Sequence, residues 1–126
     1  MADKKILIIE DEPDILKTTA IFLQAEGFEV LTAVDGMEGL EKARTQGPDL
    51  IIMDIMLPKL DGYKLCRMLK FDEKYKNIPI VFFTARAQAQ DEELGREVCA
   101  DAYIKKPTDP KLLIEKVKEL LGKQKC

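Results

Sequence analysis

LIIMDIMLP, residues 50–58, is a run of four apolar residues that meets an aspartate, Asp54, and then runs to a proline, Pro58. It reads as a buried strand entering a loop. An ionised carboxylate buried without a partner would sooner take up a proton, so Asp54 at this position asks what else the chain brings to it. Four further apolar runs recur: KILII at 5–9, FEVLTA at 28–33, IPIVFFT at 78–84 and AYIKK at 102–106.

Segments with helical spacing lie between these runs. Pro13 precedes Leu16, Thr19, Ala20 and Leu23 on one face, and Gly27 supplies a left-handed stop. Asp35 with Glu38 three residues on is a capping-box pattern, closed by Gly47 and Pro48. Asp61 can cap a third helix with Leu65, Met68 and Leu69 inward. A fourth fits between about Gln88 and Val98, although Gly95 weakens it by about 1 kcal/mol relative to alanine. Asp109 followed by Pro110 opens a fifth, with Leu113, Val117, Leu120 and Leu121 on its inner face and Gly122 after them.

Strands that are apolar on both faces and alternate with helices predict a parallel sheet covered on both sides, with right-handed crossovers. The 126 residues suit one domain, with an ordered core over about 4–121 and a short basic tail. Net charge is −3 with both signs interspersed, which disfavours direct nucleic-acid binding. No apolar run approaches membrane-spanning length. Cys66, Cys99 and Cys126 form no C-x-x-C, as expected of free thiols in the cytoplasm.

In an open parallel sheet, functional groups collect beyond the carboxyl ends of the strands. Those ends carry Glu10 and Asp11 after the first run, Asp54 after the third, Thr84 after the fourth, and Lys105, Lys106 and Pro107 after the fifth. Three carboxylates brought together need a cation, and hard oxygen donors without imidazole or paired thiolate suit Mg2+. A carboxylate is also a nucleophile toward phosphorus, and Mg2+ with a lysine neutralises the charge of a transferring phosphoryl group. The chain has no histidine, so any phosphohistidine donor must be another protein. Glu12 reads as an acid favouring a helix start.

With IIEDEP, IIMDIMLPKLDGY, VFFTA and YIKKP in this order, the chain resembles a response-regulator receiver domain of two-component signalling, of the chemotaxis-regulator kind, over essentially its whole length. The resemblance implies a flavodoxin-like (βα)5 three-layer α/β sandwich with strand order 2-1-3-4-5. It implies Asp54 as phosphoacceptor, forming an aspartyl phosphate, and Thr84 and Lys106 as phosphate contacts. Asp11, Asp54 and the backbone carbonyl of Met56 would hold Mg2+, with Glu10 acting through water. Lys106-Pro107 would be a cis peptide. Tyr103 would be the aromatic that turns inward when Thr84 moves, and Met56 and Arg86 would tune dephosphorylation. Cys99 and Thr108 depart from the usual glycine and phenylalanine, at the border of the surface receivers present to partners.

The expected function is a phosphorylation-dependent switch, charged by a sensor histidine kinase or phosphotransfer protein. It would alter a face built from the fourth helix, fifth strand and fifth helix, as a monomer or a weak phosphorylation-dependent dimer. The alternative is a degenerate receiver that docks partners without phosphorylation. Enzymes are disfavoured: Met56 stands where a haloacid-dehalogenase-type phosphatase needs a second aspartate. No G-x-x-x-x-G-K loop is present, and the acids after the first strand would repel phosphate.

Overall fold

The computed structural model describes residues 4–85 and 100–122. Five parallel strands, β1 (Lys5–Ile9), β2 (Glu29–Ala33), β3 (Leu50–Met53), β4 (Ile80–Thr84) and β5 (Ala102–Lys105), form one sheet in the order β2-β1-β3-β4-β5. The described helices are α1 (Pro13–Ala25), α2 (Gly36–Thr45), α3 (Gly62–Lys70) and α4 (Pro110–Gly122). The flavodoxin-like topology expected from the sequence is the one observed. The helix expected between Gln88 and Val98 lies outside the described residues, as do Arg86, Cys99 and Cys126.

Side chains alternate between the faces of a strand, and in the central strands both sets are buried. Leu7, Ile9, Ile51 and Met53 face a core shared with Leu40 and Ala43 of α2 and Leu65, Cys66 and Leu69 of α3. Ile6, Ile8, Leu50 and Ile52 face the opposite core, with Leu23 of α1 and Leu113, Val117, Leu120 and Leu121 of α4. Each fully buried Ile or Leu contributes about 1.5–3 kcal/mol, so this double layer is the main source of stability. Two expectations need correction. Met68 is 42% exposed, and Cys66 takes the inner position with Leu65 and Leu69, because the apolar stripe of α3 is one residue out of phase with the expected one. Gly122 is still helical rather than a stop beyond the helix.

Polar groups at the amino ends of the strands act as structural anchors. Asp49 Oδ2 accepts from the Lys5 amide at 2.8 Å. Asp101 Oδ2 accepts from the Ile80 amide at 2.8 Å and pairs with the Lys70 ammonium at 2.7 Å, tying the end of α3 to the start of β4. Lys70 also donates to the Ile78 carbonyl at 2.8 Å. At the same end, Gly27 (φ 94°) and Gly47 (φ 62°) provide the left-handed turns that lead from α1 into β2 and from α2 into β3.

The Asp35 cap of α2 forms as the spacing predicts, while Glu38 reaches back past the cap residue to the amide before it. Asp35 Oδ1 accepts from the Glu38 amide at 2.8 Å, Glu38 Oε1 accepts from the Val34 amide at 2.8 Å, and Lys59 lies 3.4 Å from Asp35. The Glu38 amide foremost, helped by Lys59, holds the Asp35 carboxyl below its ordinary 3.8. The Val34 amide foremost, helped by Lys42, holds Glu38 below 4.5. The unfolded chain therefore takes up these protons first as pH falls. The stability they contribute is present above the ordinary carboxylate values and is lost as pH drops through the depressed ones. Asp35→Asn keeps an oxygen that can cap but removes the charge. In urea unfolding, the stability gap between wild type and Asp35→Asn should be open at neutral pH and should close as pH falls below 3.8.

Candidate functional site

The carboxyl end of the sheet gathers the expected residues. Glu10 follows β1, and its amide donates to the Ala33 carbonyl at 3.0 Å, extending the ladder past the strand. The Asp54 amide does the same to the Ile9 carbonyl at 3.2 Å. These two bonds carry both carboxylates to one height on the rim. Carboxylate oxygens of Glu10, Asp11 and Asp54 lie within 4.8 Å of one another. Thr84, buried at the end of β4, accepts from the Lys106 amide through its backbone carbonyl at 2.7 Å, which brings Lys106 to the same rim.

Lys106 is the centre of the arrangement. Its ammonium donates to Asp54 Oδ2 at 2.9 Å and to Glu10 Oε1, and it lies 5.3 Å from the centre of the Phe83 ring. Burial alone would pull the Lys106 ammonium down. The hydrogen bonds and negative charge of Glu10 and Asp54 outweigh it and raise Lys106 above its ordinary value. For Glu10 burial wins and raises the carboxyl, against the Lys106 ammonium and the Glu12 amide. The cation that first answers the carboxylate repulsion is therefore internal. From sequence the donor set points to Mg2+ for that task, and nothing in it discloses the pairing of Glu10 with Lys106.

Asp54 remains partly open, its side chain 13% exposed, with Oδ1 accepting from the Met56 amide at 3.2 Å. Asp11 is exposed and shares with Met56, Pro58, Asp61 and Tyr63 a hollow of about 500 Å³. The Met56 side chain turns to solvent, 63% exposed. Lys105 is exposed and does not join the cluster, in keeping with the choice of Lys106. The Lys106-Pro107 peptide is cis. Tyr103 is half-buried against Phe82, and its hydroxyl lies 3.2 Å from that of Tyr63. Arg86 lies outside the described residues.

The donor set fits Mg2+. Three carboxylates offer hard oxygen donors within 4.8 Å of one another, with no imidazole or thiolate among them, which is the donor chemistry Mg2+ takes. With all three carboxylates ionised, Lys106 neutralises one charge and leaves the equivalent of a divalent cation to be balanced. Both Glu10 oxygens are engaged, one by Lys106 and one by the Glu12 amide at 3.2 Å.

Two glycines missed by sequence reasoning set this geometry. A Cβ on Gly62 would stand 2.4 Å from the Asp54 carbonyl oxygen and 2.8 Å from Ile55 Cα, and the Gly62 amide donates to the Ile55 carbonyl at 2.8 Å. A Cβ on Gly36 would stand 1.9 Å from the Leu60 carbonyl oxygen. Loop 54–61 is thus clamped between the first residues of α2 and α3. The available signal was a glycine in the first turn of each helix, where other residues give a better helix.

A family model described as the response regulator receiver domain matches residues 6–118. The chain belongs to this family. It is similar to the alkaline phosphatase synthesis transcriptional regulatory protein PhoP of Bacillus subtilis, 42% identical over 119 residues, 94% of this chain and 49% of that protein. It is also similar to the polar-differentiation response regulator DivK of Brucella ovis, 39% identical over 119 residues, covering 94% and 97%. This receiver therefore spans about half the length of the transcriptional regulators it matches and nearly all of DivK. Among solved structures it resembles a CheY-like receiver domain protein of Methanospirillum hungatei, with TM-score 0.92, 34% identity and coverage of 98% and 97%. It also resembles the receiver domain of a Pseudomonas aeruginosa sensor histidine kinase, with TM-score 0.88, 30% identity and coverage of 96% and 99%. That domain is described with a magnesium ion coordinated in its active-site cleft.

In an open first turn, glycine to alanine stabilises by about 0.5–1 kcal/mol. At Gly62 the contact is with backbone that cannot swing aside, so overpacking of about 1–3 kcal/mol should win. Gly62→Ala should lower the urea midpoint and shift the amide resonances of Asp54 and Ile55, measured by denaturation and NMR.

Proposed function

We propose that this receiver is a phosphorylation-dependent switch in which Asp54 accepts a phosphoryl group, acting as one unit over the whole chain. The observation that carries the reading is the Lys106 ammonium 2.9 Å from Asp54 Oδ2, inside a cluster of three carboxylates. An Asp54 oxygen attacks phosphorus, the bond from phosphorus to the donor breaks, and the donor leaves with that electron pair. The donor is the phosphohistidine of a sensor kinase or phosphotransfer protein, or a small acyl phosphate, since this chain has no histidine. Lys106 moves from a carboxylate partner to a partner of the incoming phosphoryl oxygens, and Glu10 keeps it within reach. Thr84 donates its hydroxyl to the same group.

Asp11, Asp54 and the Met56 carbonyl would hold Mg2+, with Glu10 acting through water because its own oxygens are taken. A magnesium ion bound there supplies neutralisation of charge on the transferring oxygens. The added charge of about −1.5 to −2 then shifts an existing equilibrium, turning Tyr103 inward and altering the face made by β5 and α4. Partner proteins read that face, and we place the module in the cytoplasm, where its thiols stay free. Asp54, Thr84 and Lys106 are all present, and nothing favours the docking-only alternative.

Incubation with acetyl phosphate and Mg2+ should add one phosphoryl group by intact mass, and chelation of the metal should abolish it. Asp54→Asn should not be labelled; uptake at the wild-type rate would overturn the assignment. The exposed Met56 cannot orient water, so the acyl phosphate should decay slowly, and Met56→Asn should hasten its loss in a time course.

A further inference from the structure

Tyr63 occupies the second position of α3, next to Gly62, whose amide donates to the Ile55 carbonyl and whose Cα rests on the Asp54 peptide. The start of the helix that carries Tyr63 is therefore packed on the backbone of the phosphoacceptor. Its hydroxyl lies 3.2 Å from the Tyr103 hydroxyl, in a part-buried contact between residues 40 apart in sequence. Both rings meet the fully buried Phe82 edge-on, Tyr63 at 5.3 Å and 76°, Tyr103 at 5.7 Å and 64°. Phe82 is in register with Met53 on one side and Tyr103 on the other. Three residues beyond Tyr103, Lys106 returns to Asp54.

These contacts close a circuit: from the Asp54 peptide through Gly62 to Tyr63, across the hydroxyl pair to Tyr103, and along β5 through Lys106 back to the Asp54 carboxylate. We propose that Tyr63 is a positioning residue for phosphorylation, its hydroxyl holding Tyr103 and the end of β5 so that Lys106 is preorganised before a phosphoryl group arrives. The proposal rests on the phosphoacceptor reading and adds a second link from Asp54 to the switch aromatic, independent of Thr84. Phe82 makes the link directional. Edge-on packing on Phe82 favours the inward, half-buried position of Tyr103, the one the phosphorylated state selects, so the hydroxyl bond adds to that equilibrium and reports displacement between α3 and β5. Without the bond, part of the binding energy of the phosphoryl group is spent on ordering β5.

The test uses beryllofluoride, a phosphoryl mimic, titrated with saturating Mg2+ into wild type, Tyr63→Phe, Tyr103→Phe and the double variant, with the amides of Tyr103 and Ile104 followed by NMR. Phenylalanine keeps each ring and its contact with Phe82. Each single variant should bind about two- to tenfold more weakly, the factor one net hydrogen bond supports. The double variant should fall short of the product of the two single effects, since the cycle isolates their mutual bond from whatever else each hydroxyl touches. Variants that lose stability in urea but keep wild-type affinity, or effects that multiply in the double variant, overturn the proposal. If Tyr63→Phe fails to fold, Tyr103→Phe reads the same bond from the other side. If wild type responds and the variants match it, only this proposal falls. If wild type gives no Mg2+-dependent response, the phosphoacceptor reading falls and takes the proposal with it.

Discussion

An ammonium held between two carboxylates from different strands is the contact on which the site depends. Lys106 joins Glu10, 96 residues away, and Asp54, 52 residues away, and its own amide is tied to the end of β4. Without it, two acids on the rim of a hydrophobic sheet would face each other with no fixed counter-charge. Burial then favours the protonated form of Glu10. With it, an ionisable cluster persists beyond the ends of strands whose buried side chains are apolar. The compensation is incomplete, which leaves the site able to take a divalent cation and an anionic group together.

The two ends of the sheet use the same residue types for different ends. At the amino ends, Asp49, Asp101 and Lys70 spend their oxygens and protons on backbone amides and carbonyls, locking strand to loop. At the carboxyl ends, Asp11 and Asp54 keep oxygen surface open to solvent, and Lys106 is bonded to side chains that can exchange partners. The distinction follows from parallel topology. All carboxyl termini of the strands emerge on one rim, where the loops diverge and leave a crevice. Charge at that rim is available to a ligand, and charge at the opposite rim is consumed by the fold.

Much of this was legible beforehand. The five strands, the caps at Asp35, Asp61 and Asp109, and the inner face of α4 follow from periodicity and from residues within one turn of each other. Met68 was misplaced because a helix as short as α3 tolerates a stripe centred on either side of Leu65 and Leu69, and the sheet, not the helix, selects Cys66. Gly36 and Gly62 stood in the sequence as poor helix formers, but their reason is a close approach of backbone from another loop.

Local chemistry by itself determined the element order, the apolar character of the central strands, and the identity of the acids, hydroxyl and lysine at the strand ends. Tertiary structure alone decided that Glu10 pairs with Lys106, that α3 rests on the peptide of Asp54, and that Tyr63 meets Tyr103. Periodicity and capping act over three or four residues, where chain geometry leaves few choices. Contacts across 40 to 96 residues depend on which strands become neighbours and in what register, and that is set only when both faces of the sheet are buried at once.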